Sequence, residues 1–394
     1  MRSVGLDLGA RHIAWCEVVD GTVTRRGSVR RLDDLEPLLG LATAPARVAF
    51  EASREAWHVH DVMVGWDKQP VLLDTTRIRQ IGVGQHGRKN DSIDAEAIAM
   101  AMDAGRVPVA HVLSPERRVL RAKLSVRGEL VEMRARQVTL LRGLARAAGV
   151  LIPSSSTDTF LQKLQQAPID ESTRALMAPL VATLTVAQKQ LAEVDAQIAH
   201  VAKADSIIRL CATVPGVAVI VAATFVSVID EAKRFRNAHA VSAYLGLVPG
   251  ESTTGGKQRL GSITKRGNTH ARAMLVQSAW LILRARDTGD PLRRWATDLA
   301  KTRGKKIAAV ALARKLAGVL WAMWRDGTVY DPGFQAREST KGLHADAQSH
   351  ELRAQAMALV AKKIQRLCWL LLSSVALTPR RGNHDEARQA QETH

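Results

Sequence analysis

The stretch SVGLDLGARHIAWCEVV, residues 3–19, decides the fold of the first part of the chain. Its apolar runs at 3–8 and 13–19 flank a glycine-containing turn, so they predict two neighbouring strands. Three further strands are predicted, at 21–29, 47–53 and 70–74. Helical patterns lie between or after the last two strands, at 55–66 and from Asp91 onward. Strands that first form hairpins and then alternate with helices predict a mixed α/β sheet.

From about residue 115 the sequence becomes predominantly helical. A pattern at 115–150 opens with Pro115 and carries nine basic and three acidic residues. A second long pattern covers about 172–205, so the two predict a helical hairpin or coiled-coil stalk. IIRLCATVPGVAVIVAATFVSVI, residues 207–229, resembles a helix-hairpin-helix. Short or medium helices are predicted at 237–249, 269–286, 306–326 and 350–376, and a long polar loop at 250–268.

These patterns predict four regions: an α/β domain at 1–112, a stalk at 113–205, a mostly helical domain at 206–330, and a helical extension with a polar tail at 331–394.

Charge is the strongest feature of the composition. Lys and Arg number 56 against 38 acidic residues, which gives a net charge of +18 and a pI near 10.4. Such a surface attracts polyanions, and nucleic acid is the first expectation, with an anionic membrane surface as the alternative. No apolar run reaches the roughly 18 residues of a membrane span, and three widely spaced cysteines indicate reduced thiols. We therefore expect a cytoplasmic protein.

Four carboxylates stand out in the α/β region. Asp7 lies within the first strand, Glu51 ends the fourth, and Asp91 and Asp94 share one helix face through their spacing of three. A helix cap is the simpler interpretation of Asp91 and Asp94. Taken together, four such groups would repel one another unless a cation neutralised them, and Mg²⁺ prefers oxygen ligands. We predict a Mg²⁺ site, with two ions able to clamp a phosphodiester.

The order Asp7, Glu51, Asp91, Asp94 resembles the DEDD tetrad of an RNase H-like (RuvC-like) nuclease domain. The segment YLGLVPGESTTGGKQRLGSITKRGN, residues 244–268, resembles the C-terminal domain of the insertion sequence 110 family of transposases. The motif GLDLG at residues 5–9 also occurs in actin-like ATPases and sugar kinases, but a second phosphate loop and an adenosine motif are missing from the sequence.

The resemblance implies that a serine of this loop attacks DNA. Ser252 is the serine of the run, and counting back from Lys265 puts Thr253 at the position that the family's serine usually takes, so both are candidates. A covalent phosphoserine conserves the bond energy for rejoining. Basic residues near the two sites are candidates for binding nucleic acid: Arg88, Lys89, Lys257, Arg259, Lys265, Arg266 and Arg272.

The resemblance further implies donor and target DNA as partners, and a structured guide RNA transcribed from the element. The length of the predicted stalk, about 50 Å per 35-residue helix, suggests a homo-oligomer, a dimer or tetramer, whose active sites combine the tetrad of one subunit with the serine loop of another. The expected location is the bacterial cytoplasm, at the nucleoid. A metal-dependent junction nuclease without a covalent intermediate is the main alternative, and a non-enzymatic binding protein is another.

Overall fold

The computed structural model describes residues 1–39, 45–80, 91–157, 159–252, 259–286 and 289–332. The chain forms two compact units, Met1–Arg118 and Val119–His394, which we describe separately. The helix predicted at 350–376 and the polar tail lie outside the described residues. The division into four regions stays a prediction.

The first unit is built on a five-stranded mixed sheet, which confirms the predicted α/β architecture. Its strands are β1 (Arg2–Leu8), β2 (Ile13–Val19), β3 (Thr22–Val29), β4 (Ala46–Glu51) and β5 (Gln69–Leu73). They lie in the order β3-β2-β1-β4-β5. The first three strands are antiparallel, and β4 and β5 run parallel to β1. The fourth strand ends at Glu51, two residues earlier than predicted.

The helices of this unit cover both faces of the sheet. They are α1 (Glu36–Leu39), which follows a 3-10 turn at Leu32–Leu35, α2 (Ala56–Gly65), α3 (Thr75–Gln80) and α4 (Asp91–Asp103). Alternation along the strands divides the core in two. Leu6 and Phe50 pack in one cluster with Met63 of α2. Ala49 packs in another with Ile98 of α4.

A buried ion-pair network fixes the first hairpin to its neighbours. Glu17 on β2 is 5 % exposed and accepts hydrogen bonds from Arg2 (Nη2, 2.6 Å), Arg25 (2.9 Å) and Thr24 (2.8 Å). Burial, the largest single effect, raises the pKa of Glu17, but the hydrogen bonds from Arg25, Arg2 and Thr24 together outweigh it and lower the pKa to about 2. The Glu17 carboxylate is therefore ionised at neutral pH although it is buried.

Two long helices confirm the predicted helical hairpin. They are α5 (Pro115–Ala147) and α7 (Glu171–Ala204), joined through a short helix that was not predicted, α6 (Phe160–Gln166). Leu124 packs in one cluster with Ile198, and Leu141 in another with Leu184, so the two long helices run antiparallel. The coiled-coil form of this stalk stays a prediction.

The rest of the second unit is mostly helical. Its elements are α8 (Ser206–Cys211), α9 (Val219–Ile229), a 3-10 turn at Ala232–Arg234, α10 (Ala238–Tyr244), β6 (Pro249–Glu251), β7 (Leu260–Ile263), α11 (Thr269–Arg284), α12 (Pro291–Arg303) and α13 (Lys305–Asp326). The two helices expected at 207–229, where the sequence resembles a helix-hairpin-helix, are present as α8 and α9. Every residue of α9 from Val221 onward is buried, so it forms the centre of the core.

One prediction for this region was wrong, and one helix was missed. The segment 250–268 was expected to be a loop, but β6 and β7 pair in it as a small antiparallel hairpin. Helix α12 was not predicted, although Asp290 accepts hydrogen bonds from the Leu292 and Arg293 amides and Pro291 occupies the first turn, a helix-start signal that the sequence displayed.

Helix α13 is long and apolar enough to cross a membrane, with a mean hydropathy of 1.5, but 56 % of that window is buried inside the unit. Leu312, Leu316 and Leu320 are fully buried in the same cluster as Leu275 of α11 and Ala296 of α12. We therefore interpret α13 as a core helix. Two of the three cysteines, Cys16 and Cys211, are free and buried, and burial raises the pKa of both thiols.

Candidate active site

Asp7 and Glu51 lie at the carboxyl ends of adjacent parallel strands. Strands β1 and β4 pair in a register that sets Leu6 opposite Phe50. Asp7 and Glu51 are the next residue on each strand, so their backbones are neighbours at the same edge of the sheet. Both are partly buried. Carboxyl ends of parallel strands are where open α/β sheets commonly bind ligands.

Helix α4 lies against the face of the sheet to which Asp7 belongs. Gly5, two residues before Asp7, touches the backbone of α4: a Cβ placed there would lie 2.2 Å from Ala95 O and 2.6 Å from Ala99 N. At the far end of the strand, a Cβ on Gly9 would lie 3.7 Å from Asp91 Oδ2. Because side chains alternate along a strand, Asp7 lies on the face between these two contacts, opposite the first turns of α4.

Glu51 is directed to the same face by the same alternation, since Ala49 packs against Ile98 of α4. The carboxyl end of α4 is tied to the sheet through Asp103, which accepts hydrogen bonds from Ser3 Oγ (3.0 Å) and from the Gly21 amide (2.7 Å). The four predicted carboxylates therefore belong to one corner of the first unit, where two strands end and a helix begins.

Asp91 has a partner that the sequence reasoning missed. His12 Nε2 lies 3.1 Å from Asp91 Oδ2, and both side chains are partly exposed. His12 belongs to the turn between β1 and β2, three residues after GLDLG, and nothing in that local sequence marks it as a partner of Asp91. Asp91 is the first residue of α4 rather than a residue before the helix.

The donor chemistry suits a hard divalent cation, but the side chains do not form a closed ligand set. Within the described residues, no group of three or more His, Cys, Asp or Glu side chains is close enough to hold a metal ion. The backbones converge, and the carboxylates are partly buried at one corner of the fold. Oxygen-only ligands fit Mg²⁺. Binding a cation there requires the carboxylates to rotate toward a common point. Arg88 and Lys89 lie outside the described residues.

In the second unit, Ser252 follows the first strand of the small hairpin. Its amide donates to Arg259 O at 3.0 Å, and both residues are exposed. Pro249 pairs with Ile263 at the base of the hairpin and Glu251 pairs with Leu260 further along. The hairpin thus carries Ser252 away from the helical core and into solvent. Thr253 and Lys257 lie outside the described residues.

Two glycines allow the chain segments on either side of this hairpin to come into direct backbone contact at its base. A Cβ on Gly246 (φ +69°) would lie 2.0 Å from Arg266 O, and a Cβ on Gly267 (φ +83°) would lie 2.0 Å from Tyr244 O. Each position has a positive φ and a backbone in direct contact, so each needs glycine. This contact explains the spacing of the two glycines in YLG and KRG on either side of the hairpin.

Arg272 stabilises the same hairpin base through hydrogen bonds. It is 9 % exposed, and its guanidinium donates to Leu245 O (3.1 Å), to Arg266 O (3.2 Å) and to Thr269 Oγ1 (3.3 Å). The predicted role of Arg272 in binding DNA therefore needs revision, because its hydrogen bonds hold the hairpin base. Lys265 and Arg266 are exposed at that base and remain available to a polyanion.

His60 of α2 belongs to a surface network of polar contacts rather than to the candidate site. His60 Nδ1 lies 3.1 Å from Asp61 Oδ1, and Arg118 donates to the other Asp61 oxygen at 2.6 Å.

Comparison with known proteins gives the two units a common identity. A DEDD transposase model of IS110 elements matches residues 4–148, and the "Transposase IS116/IS110/IS902 family" model matches residues 208–292. The protein named "Probable family 20 transposase" of Pseudomonas aeruginosa is 32 % identical over 254 residues, which is 63 % of this chain and 75 % of the relative.

Two further relatives extend over most of the chain. The transposase for insertion sequence element IS1111A of Coxiella burnetii is 25 % identical over 82 % of this chain and 89 % of its own length. The transposase for IS1328 of Yersinia enterocolitica is 26 % identical over 83 % of this chain and 98 % of its own length.

The matched families and relatives define a transposase, an enzyme that acts on DNA. The N-terminal mixed sheet is consistent with the RNase H-like domain of DEDD transposases, a class that is generally metal-dependent. The chain belongs to the IS110 family of insertion-sequence transposases.

Proposed function

We propose that this transposase cuts and rejoins DNA through a covalent phosphoserine, with Mg²⁺ held by Asp7, Glu51, Asp91 and Asp94. The observation that carries the proposal is the convergence of two strand ends and the start of α4 on one corner, where the backbones of all four carboxylates lie. Two ions bound there would supply charge neutralisation at the attacked phosphate.

The nucleophile is the hydroxyl of Ser252, with Thr253 as the alternative. Ser252 Oγ attacks the phosphorus; the Oγ–P bond forms as the bond to one DNA oxygen breaks, and the serine proton ends on that leaving oxygen. In the second half of the reaction a DNA hydroxyl attacks the phosphoserine and releases the serine. Each half exchanges one phosphodiester for another, so no ATP is consumed. Lys265 and Arg266 are near enough in sequence and sufficiently exposed to bind the flanking phosphates.

Covalent trapping tests the nucleophile. We expect the full chain, incubated with Mg²⁺ and DNA carrying the element's own ends, to form a protein–DNA adduct that mass spectrometry maps to Ser252. Ser252→Ala should abolish the adduct and Thr253→Ala should retain it. Ser262→Ala is the matched control, because Ser262 is an exposed serine on the opposite strand of the same hairpin. DNA cleavage without any adduct would favour the junction nuclease.

Asp94→Asn tests the carboxylate site. We expect at least a 100-fold loss of cleavage, with Glu96→Gln as the control on the same helix, since Glu96 pairs with Arg26 at the surface (3.1 Å). Wild-type cleavage by Asp94→Asn in the presence of Mg²⁺ would contradict the site.

We further propose that the active site is composite and that the protein acts as a homo-oligomer, a dimer or tetramer, in the bacterial cytoplasm at the nucleoid. Asp7 and Ser252 belong to different units of the chain, and the α5–α7 hairpin lies between them in sequence. A chain with Ser252→Ala and Thr253→Ala, mixed with an Asp7→Ala chain, should recover strand transfer. If neither mixture exceeds its unmixed components, the sites are formed within single subunits.

A structured RNA from the element is the proposed guide for donor and target DNA. The net charge of +18 is compatible with holding RNA as well as DNA. Sequencing of RNA that copurifies with the protein tests this: enrichment of a transcript from the element is expected, and recovery of bulk cellular RNA alone would contradict it.

A further inference from the structure

An open groove of about 510 Å³ runs beside the serine hairpin in the second unit. One wall is the end of β7 with Ile263 and Lys265, and the other is one face of α11. The α11 residues repeat every three or four positions from Thr269 to Arg284, so the face extends about 22 Å at 1.5 Å per residue.

The groove combines positive charge with an aromatic side chain. Lys265, Arg272 and Arg284 are its charged residues, and none of the described residues that line it is acidic. Trp280 lies on the same face, with the Arg284 guanidinium 5.2 Å from the centre of its ring. Because Arg272 is used at the hairpin base, the cations available to a ligand are Lys265 at one end and Arg284 at the other.

These features match the chemistry of an unpaired nucleic-acid strand. Single strands are bound by a positive groove that follows the backbone and by aromatic side chains that stack on bases. A duplex hides its base faces, so it would leave Trp280 without a stacking partner. At about 3.4 Å per stacked nucleotide, a 22 Å face accommodates roughly six nucleotides.

The position of the groove indicates which strand it holds. Ile263 lines the groove and pairs with Pro249, three residues before Ser252. At about 3.3 Å per residue, Ser252 lies on the order of 10 Å along the hairpin from the edge of the groove. We infer that the groove formed by β7 and α11 binds the single-stranded DNA that flanks the cleaved phosphate, with a base against the Trp280–Arg284 pair. This inference rests on the proposed function.

Binding of a 12-nucleotide mixed-sequence single-stranded DNA to the full-length Ser252→Ala protein tests the inference, without involving the covalent step. By fluorescence anisotropy at 150 mM salt, Trp280→Ala should weaken binding about 5- to 100-fold. Trp295→Ala is the matched control: Trp295 also carries a cation, Lys315 at 4.8 Å, but does not line the groove. It should bind as the parent protein does.

A second pair of variants avoids removing a packed side chain. Gln277 is exposed and lines the groove, so Gln277→Glu should weaken single-strand binding at least about 5-fold through repulsion of phosphates. Gln190→Glu makes the same change of charge on the exposed surface of α7 and should have no effect.

The same oligonucleotide as a DNA duplex and as RNA separates the outcomes. A loss confined to single-stranded DNA supports the inference. The inference is overturned if the two variants lose as much affinity for the duplex as for the single strand, or if they lose affinity for RNA alone. It is also overturned if Trp280→Ala and Gln277→Glu bind single-stranded DNA as well as their controls do. Adduct formation at Ser252 is measured in a separate experiment. An error in the groove inference would therefore appear in the binding assay, and an error in the covalent mechanism would appear in the adduct assay.

Discussion

Substituting Gly5 by alanine should displace helix α4 and disable the carboxylate site without touching a carboxylate. The added Cβ would meet Ala95 O at 2.2 Å and Ala99 N at 2.6 Å, where ordinary contacts begin near 3.4 Å. Both atoms are backbone, so no flexible side chain can yield. The helix must move about 1 Å away from β1, or the strand must bend.

The energetic cost follows from that displacement. Overpacking of a well-packed core costs typically about 1–3 kcal/mol, and a helix backbone that cannot yield puts Gly5→Ala near the upper end. A shift of about 1 Å in catalytic groups can lower a rate roughly 100-fold. We therefore expect a folded protein with a loosened α4 and a loss of donor excision of that order.

Hydrogen exchange measured by mass spectrometry reports on α4 directly, and excision of the element from a donor plasmid reports on activity. Gly65→Ala is the control: Gly65 ends α2, and a Cβ there meets no atom within 4 Å. Alanine there should be neutral or slightly stabilising. If Gly5→Ala retained wild-type protection in α4 peptides and excised within twofold of Gly65→Ala, the close approach of β1 and α4 would be refuted.

Three further substitutions test interactions that stabilise the two units: a buried ion-pair network, the hydrogen bonds of the hairpin base and the packing of the two long helices. Glu17→Gln should lower the free energy of unfolding by about 3 kcal/mol at pH 7. The folded pKa of Glu17, about 2, lies below the ordinary 4.5, so the stabilisation by the ionised carboxylate is complete above pH 4.5 and is lost as the pH falls toward 2. Urea unfolding of both proteins at pH 7 and pH 3 measures this difference. Arg272→Ala leaves two backbone carbonyls without their donor and should cost about 2–4 kcal/mol, seen as faster hydrogen exchange at the hairpin base. Leu184→Ala, at a fully buried position between α5 and α7, should cost about 3 kcal/mol in thermal unfolding, whereas Val186→Ala, 61 % exposed, should cost under about 0.5 kcal/mol.

The strands of the first unit and the long helices could be predicted because their side chains follow simple periods. The apolar runs within 3–19 and the helical repeat after Pro115 are local properties, and both predictions hold. Helix α6 and the β6–β7 hairpin were not predicted. Strands of three and four residues rich in Gly and Ser carry no alternation signal, and their pairing is fixed by the contacts of Gly246 and Gly267 rather than by strand propensity.

The candidate site was predictable in its residue types and only partly in its geometry. The order of the four carboxylates indicated a common corner, and the register of β1 with β4 agrees with it. Sequence gave no means of seeing that His12 pairs with Asp91, or that Arg272 faces inward to two carbonyls instead of outward to DNA. Both facts depend on a turn or loop conformation, for which the residues themselves carry little information.

In each unit, a glycine that allows close backbone contact positions the candidate functional group. Beside Asp7, Gly5 lets a helix backbone touch a strand; before Ser252, Gly246 lets two loop segments touch. Backbone-to-backbone contacts fix positions more rigidly than side chains can, because no rotamer is available to relieve them. The chemistry and the positioning are therefore carried by different residues. Substitution of Asp7 or Ser252 should abolish strand transfer in a protein that unfolds as the wild type does, whereas substitution of Gly5 or Gly246 should lower activity and stability together. A glycine variant that lost activity with unchanged unfolding would show that the two roles are not separated in this way.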